Sequence, residues 1–553
     1  MHNKAIGRFD RPNTDGSYAM KIKSCISFLL ALVLLLSLSA CTRKTEQPEA
    51  SAIPSASPEL SATASPEPSS KPTAKPVAAG FTDDAKQAIK DLVRLYGKDS
   101  PSYDGLAYVV SDFDNTTAIF DITYQCCTYQ LEHMAFAMDP EALRAALSTE
   151  LDLDADKNAD WIADIVGAYS YLYTTYGPFT ASGLDEAAAA KVQADPMWKE
   201  FATKMRAFLI HVEDTTPETI SYVWVLWWYS GMTEQEVYDL FFRSCSAYQG
   251  VESRMVTWTS PEEIESKLGV VSCDFTEGIS VTQDVKDMFR SFREGGIDVW
   301  ICSASHVDGV RAAVDAFGLS DVITGVIGMT QKLENGVYVP EYDYENGFSY
   351  DNAGNGVWTR SEYAIHAMPG LEGKVTAIEN ALMPRYAGYG PLAGFMDSTG
   401  DFNFCTEFQS LKLVICYNRA NRKITEGAGL IAVAAMYQKH LGYDLAKANE
   451  EDDTLYILQG RDENGLRTLR ASEETVRLGQ TQPQLFANED NQKLLDYAIR
   501  HKLTTQQLID NFCIVTPAKD LGNLLGVDHG HLESFSGYHN IADQIPLPDE
   551  AAA

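Results

Sequence analysis

Asp112 and Asp114 stand one residue apart in Ser111-Asp112-Phe113-Asp114-Asn115-Thr116-Thr117, directly after the apolar run Ala107-Tyr108-Val109-Val110. The run reads as a short buried strand. Both carboxylates then fall at its C-terminal edge, where open α/β sheets place their ligands. Because the strand is ending there, the two side chains need not share one environment and can take different chemical jobs. A capped turn uses the same residue types. Other positions argue for more than a turn. The run Ile297 to Cys302 ends in Ser303-Ala304-Ser305. Lys374 stands where a helix begins. Ala393-Gly394-Phe395-Met396 runs into Asp397, with Asp401 four residues further on. A hydroxyl, an ammonium and a second acidic pair are groups that hold anions and hard cations.

The elements that must position these groups alternate. Residues 281–295 carry an amphipathic helical pattern with a glycine stop, and a second helix is expected from Val307 to Phe317 before Gly318-Leu319-Ser320. Strand and helix in turn, with polar residues at the strand ends, describe an α/β fold built on a doubly wound parallel sheet. From Ala107 to Tyr417 the chain resembles the haloacid dehalogenase-like (HAD) phosphatase superfamily. The resemblance rests on Asp-x-Asp-x-Thr at Asp112, Asp114 and Thr116, the strand-end Ser303, Lys374, and the acidic pair Asp397 and Asp401, in the family's order. Met396 departs from it, because many relatives have glycine there; the change removes no ligand.

The resemblance implies a Mg²⁺-dependent phosphomonoesterase. Asp112 would attack phosphorus and form an aspartyl-phosphate. Asp114 would protonate the leaving oxygen and then activate water. Mg²⁺ would sit on Asp112, the Asp114 carbonyl and Asp397, with Asp401 supporting the metal shell or orienting Lys374. Ser303 and Lys374 would hold the phosphoryl oxygens. Relatives that dehalogenate lack the second acid, so Asp114 favours phosphoryl chemistry.

A long insertion separates the first motif from the helix before Ser303, and in the superfamily an insertion here forms a cap. Helices are expected over Pro140–Leu151, Asp160–Tyr176, Asp185–Ala194, Pro196–Val212, Pro217–Tyr229 and Thr233–Ser246, making the cap all-α. Trp224, Trp227 and Trp228 fall on one face of such a helix. Aromatic faces attract quaternary ammonium groups, and the arrangement is similar to phosphorylcholine phosphatases. The three tryptophans are therefore candidate substrate residues, although a stripe at this spacing also suits core packing. Asp121, nine residues after Asp112, falls where phosphoserine phosphatase relatives place a substrate-reading acid; it could equally cap the first helix of the insertion.

Composition narrows the partners. With 77 acidic and 44 basic side chains the net charge is −33, which excludes a chain that lives on nucleic acid. Hydrophobic residues make up 45%, enough for a large core. Lys21-Ile22-Lys23, the apolar run to Leu38 and Leu38-Ser39-Ala40-Cys41 resemble a bacterial lipoprotein signal, which implies cleavage before Cys41 and lipidation of its thiol. The only membrane contact expected is that lipid anchor, and the protein would work outside the cytoplasm.

The domains read as a signal region at 1–40 and a lipidated Cys41 with a disordered, proline-rich tether at 41–80. A HAD-like core follows at 81–123 and 274–420, interrupted by a helical cap at 124–273. Residues 421–553 read as an extension packing on the core, with a hairpin over Thr454–Arg470. Asp152, Asp154, Asp156 and Asp160 follow part of a Ca²⁺-loop spacing, but Lys157 and Ala163 break it, so a solvated acidic loop is expected. Gly354-Asn355-Gly356 reads as a turn, and the histidines at 529, 531 and 539 match no zinc template. The partner is a small phosphorylated metabolite, with phosphocholine or a related amine phosphate favoured by the aromatic stripe. A broad-specificity surface acid phosphatase, or a lipoprotein that binds a choline-like solute without turnover, are the competing readings.

Overall fold

A computed structural model describes residues 78–216, 218–343, 348–351, 357–360, 368–423 and 427–512. The expectations for Cys41 and its surroundings, for Gly354-Asn355-Gly356 and for the histidines beyond residue 512 lie outside the described residues.

Six strands form one parallel sheet: β1 (Tyr108–Ser111), β2 (Asp298–His306), β3 (Gly325–Met329), β4 (Ala393–Met396), β5 (Leu413–Tyr417) and β6 (Leu455–Gln459). Their order is β6-β5-β4-β1-β2-β3, and every neighbouring pair is parallel. This is a doubly wound arrangement whose strand order reverses between β1 and β4, which opens a crevice at their C-terminal ends. All residues of β1, β4, β5 and β6 are buried, as continuous apolar runs covered on both faces must be. Between Cys302 and His306 four steps along β2 face two along β3, from Ile327 to Met329. This irregularity falls on Ser303 to Ser305, and bulges of this kind re-aim side chains beside active sites.

Helix α1 (Asp83–Tyr96) precedes β1. The insertion contributes α2 (Ile122–Glu132), α3 (Pro140–Ser148), α4 (Asn158–Tyr176), α5 (Glu186–Gln193), α6 (Pro196–Thr215), α7 (Glu218–Trp224) and α8 (Glu234–Tyr248). Their starts follow local chemistry. Asp195 accepts from Met197 N at 2.9 Å ahead of Pro196, so one helix ends and another begins there. Helix α7 gives way to a tighter turn over Val225–Tyr229, shorter than the helix expected to run to Tyr229. The insertion is not purely helical: Arg254–Thr259 pairs antiparallel with Ser272–Glu277. Alternating exposure, rather than an apolar run, hid this hairpin in the sequence.

After α9 (Gln283–Glu294) and β2 comes α10 (Val307–Ala316), against which α8 packs closely. A Cβ on Gly309 would stand 2.6 Å from Phe241 Cε1, so only glycine admits that ring. Helix α11 (Glu372–Ala377) carries Lys374. Beyond β5 lie α12 (Gly427–His440), α13 (Leu445–Glu450), α14 (Glu489–His501) and α15 (Thr505–Phe512). The segment after residue 420 does more than pack on the core, because β6 is the sixth strand of the sheet. The expected hairpin shrinks to Arg461–Asp462 against Thr468–Leu469. Among the described residues, no helix is long and apolar enough to cross a membrane.

Candidate functional site

The ends of β4, β1 and β2 lie side by side, with Ser111 in register with Phe395 on one flank and Ile301 on the other. Asp112 follows β1 and its N–H donates to Phe395 O at 3.1 Å, which ties the two strand ends together. Its carbonyl is held by the hydroxyls of Ser111 at 2.8 Å and Thr117 at 2.7 Å. Between them Phe113–Thr117 forms a single tight loop in which Asn115 takes φ 60°, a left-handed conformation that asparagine tolerates. Arg461 pins this loop by donating to Asn115 O at 2.7 Å while its other nitrogens bind Glu463 Oε1 at 2.7 and 3.0 Å. Buried Arg461 arrives with the segment just after β6, so the far end of the chain helps to shape the first motif.

Lys374 bridges two carboxylates. Its Nζ donates to Asp112 Oδ1 at 2.5 Å and to Asp401 Oδ1 at 2.6 Å. The second oxygen of Asp401 accepts from the N–H groups of Asp397 and Ser398 and from Ser398 Oγ, each at 3.3 Å. Asp401 is thus fully occupied and acts on the site by orienting Lys374 and the β4 loop. Asp397 accepts from Thr116 Oγ1 at 3.2 Å and from Arg419 Nη1 at 3.0 Å. One oxygen from each of Asp112, Asp397 and Asp401 lies within 4.8 Å of the others. Three carboxylates so close are the donor set a hard divalent cation takes.

Asp114 points elsewhere. Ser305 Oγ donates to its Oδ2 at 2.6 Å, and Ile122 N, in the first turn of α2, donates to its Oδ1 at 2.7 Å. Thr123 Oγ1 lies 2.8 Å from the same Ser305 hydroxyl. Ser303 Oγ accepts from Ser305 N at 3.2 Å and is buried. Asp121 is the N-cap of α2, accepting from Tyr124 N at 2.9 Å.

Burial dominates the electrostatics. It raises Asp112, and the charges of Asp401 and Asp397 add to the rise against the opposing pull of Lys374. It raises Asp114 well above the carboxylate range, helped by Asp121 and Asp112, although the Ser305 bond pulls back. Asp121 and Asp401 are also raised, chiefly by burial. Burial alone would lower Lys374, yet Asp112 and Asp401 outweigh it and hold its ammonium protonated. The site therefore combines a carboxyl group poised to carry a proton, at Asp114, with three clustered carboxylates that take Lys374 and Arg419 as counter-charges.

The structure brings together Asp112, Lys374, Asp397 and Asp401, with Asp114 and Ser303 on the adjoining strand ends. The aromatic expectation is corrected. Trp224, Trp227 and Trp228 are fully buried, so no ring face is open to a ligand. Trp224 packs edge-on against Phe208 with centroids 5.2 Å apart and donates to Leu147 O at 3.3 Å. The stripe faces inward because the insertion needs a core of its own. The acidic loop is met by lysines at its far end: Asp160 pairs with Lys267 and Asp164 with Lys204, both at 2.9 Å. Sequence reasoning missed Ser305, Arg419 and Arg461. The readable signal was position: Ser305 lies at the C-terminal end of β2, and Arg419 and Arg461 each lie two residues past the end of a strand, β5 and β6.

These features define the class: a doubly wound α/β protein with a buried Lys–carboxylate cluster at the topological switch point. Scans of the sequence against protein-family models and against curated proteins return no match. Among solved structures the chain is similar to a conserved protein of unknown function from Anaerococcus prevotii, at 25% identity and TM-score 0.56, over 72% of this chain and 98% of that one. A protein of unknown function from Bordetella pertussis matches at 11% identity and TM-score 0.32, over 61% of this chain and 96% of that one. Cytosolic 5'-nucleotidase IIIB bound to cytidine matches at 11% identity and TM-score 0.25, over 61% and 80%.

Proposed function

We propose that the protein is a HAD-type phosphomonoester hydrolase that uses Mg²⁺ and an aspartyl-phosphate intermediate on a small extracytoplasmic phosphoester. The observation that carries this reading is Lys374 held between Asp112 and Asp401, with Asp397 beside them and Asp114 on a separate hydrogen-bond set. The cluster fits a hard cation by donor type and spacing: Asp112 and Asp397 would hold it directly, with the Asp114 carbonyl as a third oxygen and Asp401 behind them. Bound there, Mg²⁺ would offset the negative charge of nucleophile and ester together.

The remaining chemistry belongs to the chain. A carboxylate oxygen of Asp112 attacks phosphorus while the bond from phosphorus to the ester oxygen breaks. Lys374 and Ser303 hold the non-bridging oxygens as charge spreads over them. The departing oxygen takes its electron pair and receives the proton of Asp114, whose burial raises its pKa and favours the protonated form. Asp114, now ionised, takes a proton from water, whose oxygen attacks phosphorus. Phosphate leaves and Asp112 is restored.

With the tryptophans enclosed, the preference for phosphocholine loses its platform and a broader substrate range gains support; the choline-binding lipoprotein without turnover loses its platform as well. Residues 21–41 support export and lipid anchoring at Cys41. The test is hydrolysis of p-nitrophenyl phosphate with and without Mg²⁺. Release should require the ion and fall at least ~10³-fold in Asp112→Asn, as loss of a nucleophile does. Undiminished release in that variant would overturn the assignment. A panel of phosphocholine, phosphoethanolamine and phosphoserine then separates a selective enzyme from a broad one.

A further inference from the structure

The three clustered carboxylates are not neutralised alike. Lys374, 2% exposed, is locked between Asp112 and Asp401. Asp397 meets arginines instead: Arg419 Nη1 at 3.0 Å and Arg422 Nη2 at 3.6 Å approach the same oxygen, Oδ2. Both arginines are 27% exposed. Arg419 lies two residues beyond the end of β5, whose Cys416 is in register with Met396 of β4, so it rises from the same sheet edge as Asp397. The third nearby arginine, Arg461, is committed to Glu463 and to the Asn115 loop. Among the described residues, Arg419 makes no close ion pair except with Asp397, although its charge also acts on Asp121 and Glu463.

Charge makes this arrangement consequential. Three carboxylates face Lys374, Arg419 and Arg422, so the cluster is balanced as it stands. A divalent cation adds two positive charges and draws on Asp397, one of whose two oxygens Arg419 already holds. Cation and guanidinium repel each other on one carboxylate, and of the two partners it is Arg419, 27% exposed against 2% for Asp397, that has room to swing away. A guanidinium released at the mouth of the site, in a strongly acidic protein, is matched in geometry to a phosphate oxygen.

We propose that Arg419 and the divalent cation exchange on Oδ2 of Asp397, and that the displaced guanidinium then grips an anionic oxygen of the bound ester. Arg419 is in this sense a stand-in for the cation in the resting protein and a substrate ligand in the loaded one. Cation and anion therefore bind with positive coupling, each favouring the other equally. The inference rests on the phosphatase reading for the identity of the anion.

Calorimetric titration of Mg²⁺ alone into the phosphate-free full chain tests the exchange. Arg419→Gln removes the competitor and should bind Mg²⁺ about fivefold tighter than the natural chain, the scale of a partly exposed ion pair. With Mg²⁺ saturating, inorganic phosphate should bind the variant about tenfold more weakly, as loss of a charge-assisted contact predicts. Equal or weaker Mg²⁺ binding by a folded Arg419→Gln overturns the proposal, since it would mean that Arg419 merely supports Asp397. Should that variant fail to fold, Arg419→Lys serves: its shorter side chain competes less, so Mg²⁺ affinity again rises, and an unchanged or lower affinity refutes the exchange. Both titrations are free of turnover. Binding as described without ester hydrolysis would retire the phosphatase reading and keep the exchange; turnover with no Arg419-dependent change in Mg²⁺ affinity would retire the exchange alone.

Discussion

Replacing Lys374 by methionine removes the one ammonium that two buried carboxylates share. The side chains of Asp112 and Asp401 are 9% and 1% exposed, and Lys374 lies 2.5 and 2.6 Å from them. Breaking a buried pair by deleting one partner costs about 3–5 kcal/mol, because the charge left behind stays desolvated. The burden falls unevenly. Asp401 keeps hydrogen bonds from Asp397 N, Ser398 N and Ser398 Oγ, whereas Asp112 loses the cation that held its Oδ1. Most of the loss should therefore be recovered by making Asp112 neutral in place. In Lys374→Met with Asp112→Asn the amide needs no counter-charge, and the pair should recover at least ~1.5 kcal/mol relative to the sum of the single changes. Urea unfolding at pH 7 in chelator, followed by circular dichroism, measures all three proteins against the natural chain. A loss below ~1 kcal/mol for Lys374→Met, or strict additivity of the two changes, would refute the account of the cluster as a charge-balanced unit.

Trp227→Ala should destabilise the fold by about 3–5 kcal/mol, as large-to-small changes in a core do, while the KM for phosphocholine in the protein that remains folded stays within twofold; a selective rise in that KM would return the ring to the substrate. His306 is buried at the start of α10, and burial lowers it from 6.5 to about 3. The unfolded chain thus binds a proton the folded one refuses between those values. Stability present above pH 6.5 is lost as the pH falls towards 3, by up to ~1.4 kcal/mol per pH unit from this group. His306→Leu should flatten that part of a plot of urea midpoint against pH, and an unchanged slope would show that other groups govern it.

The sheet was legible because its signals are local. Each of β1, β2, β4 and β5 is a short apolar run with a polar residue at its end, and a parallel strand buried on both faces can hardly look otherwise. The same rule exposed Asp112, Ser303 and Asp397, since strand ends are where such sheets do chemistry. Strand β6 carries a run just as apolar, Leu455-Tyr456-Ile457-Leu458, yet the Asp-Glu-Asn-Gly turn after it suggested a hairpin partner. Its true neighbour, β5, is about forty residues away in sequence, and no local pattern announces a parallel partner. The tryptophans show a second limit. Spacing places Trp224, Trp227 and Trp228 on one helix face, but a face has the same pattern whether it meets a ligand or another helix. Ser305 and Arg461 act through partners 191 and 346 positions away, separations at which only the folded chain can pair them.

One missing methyl group links two layers of this molecule. Phe241, on the last helix of the insertion, sits where a side chain at position 309 would be, and position 309 belongs to the helix that continues directly from the strand bearing Ser303. The ring works as a key in a notch. A substitution filling that notch touches no ionisable group, yet it would lever α10 away from α8 and carry the hydroxyls at the end of β2 with it. Alignment of the proposed catalytic groups thus has a mechanical control point made entirely of carbon.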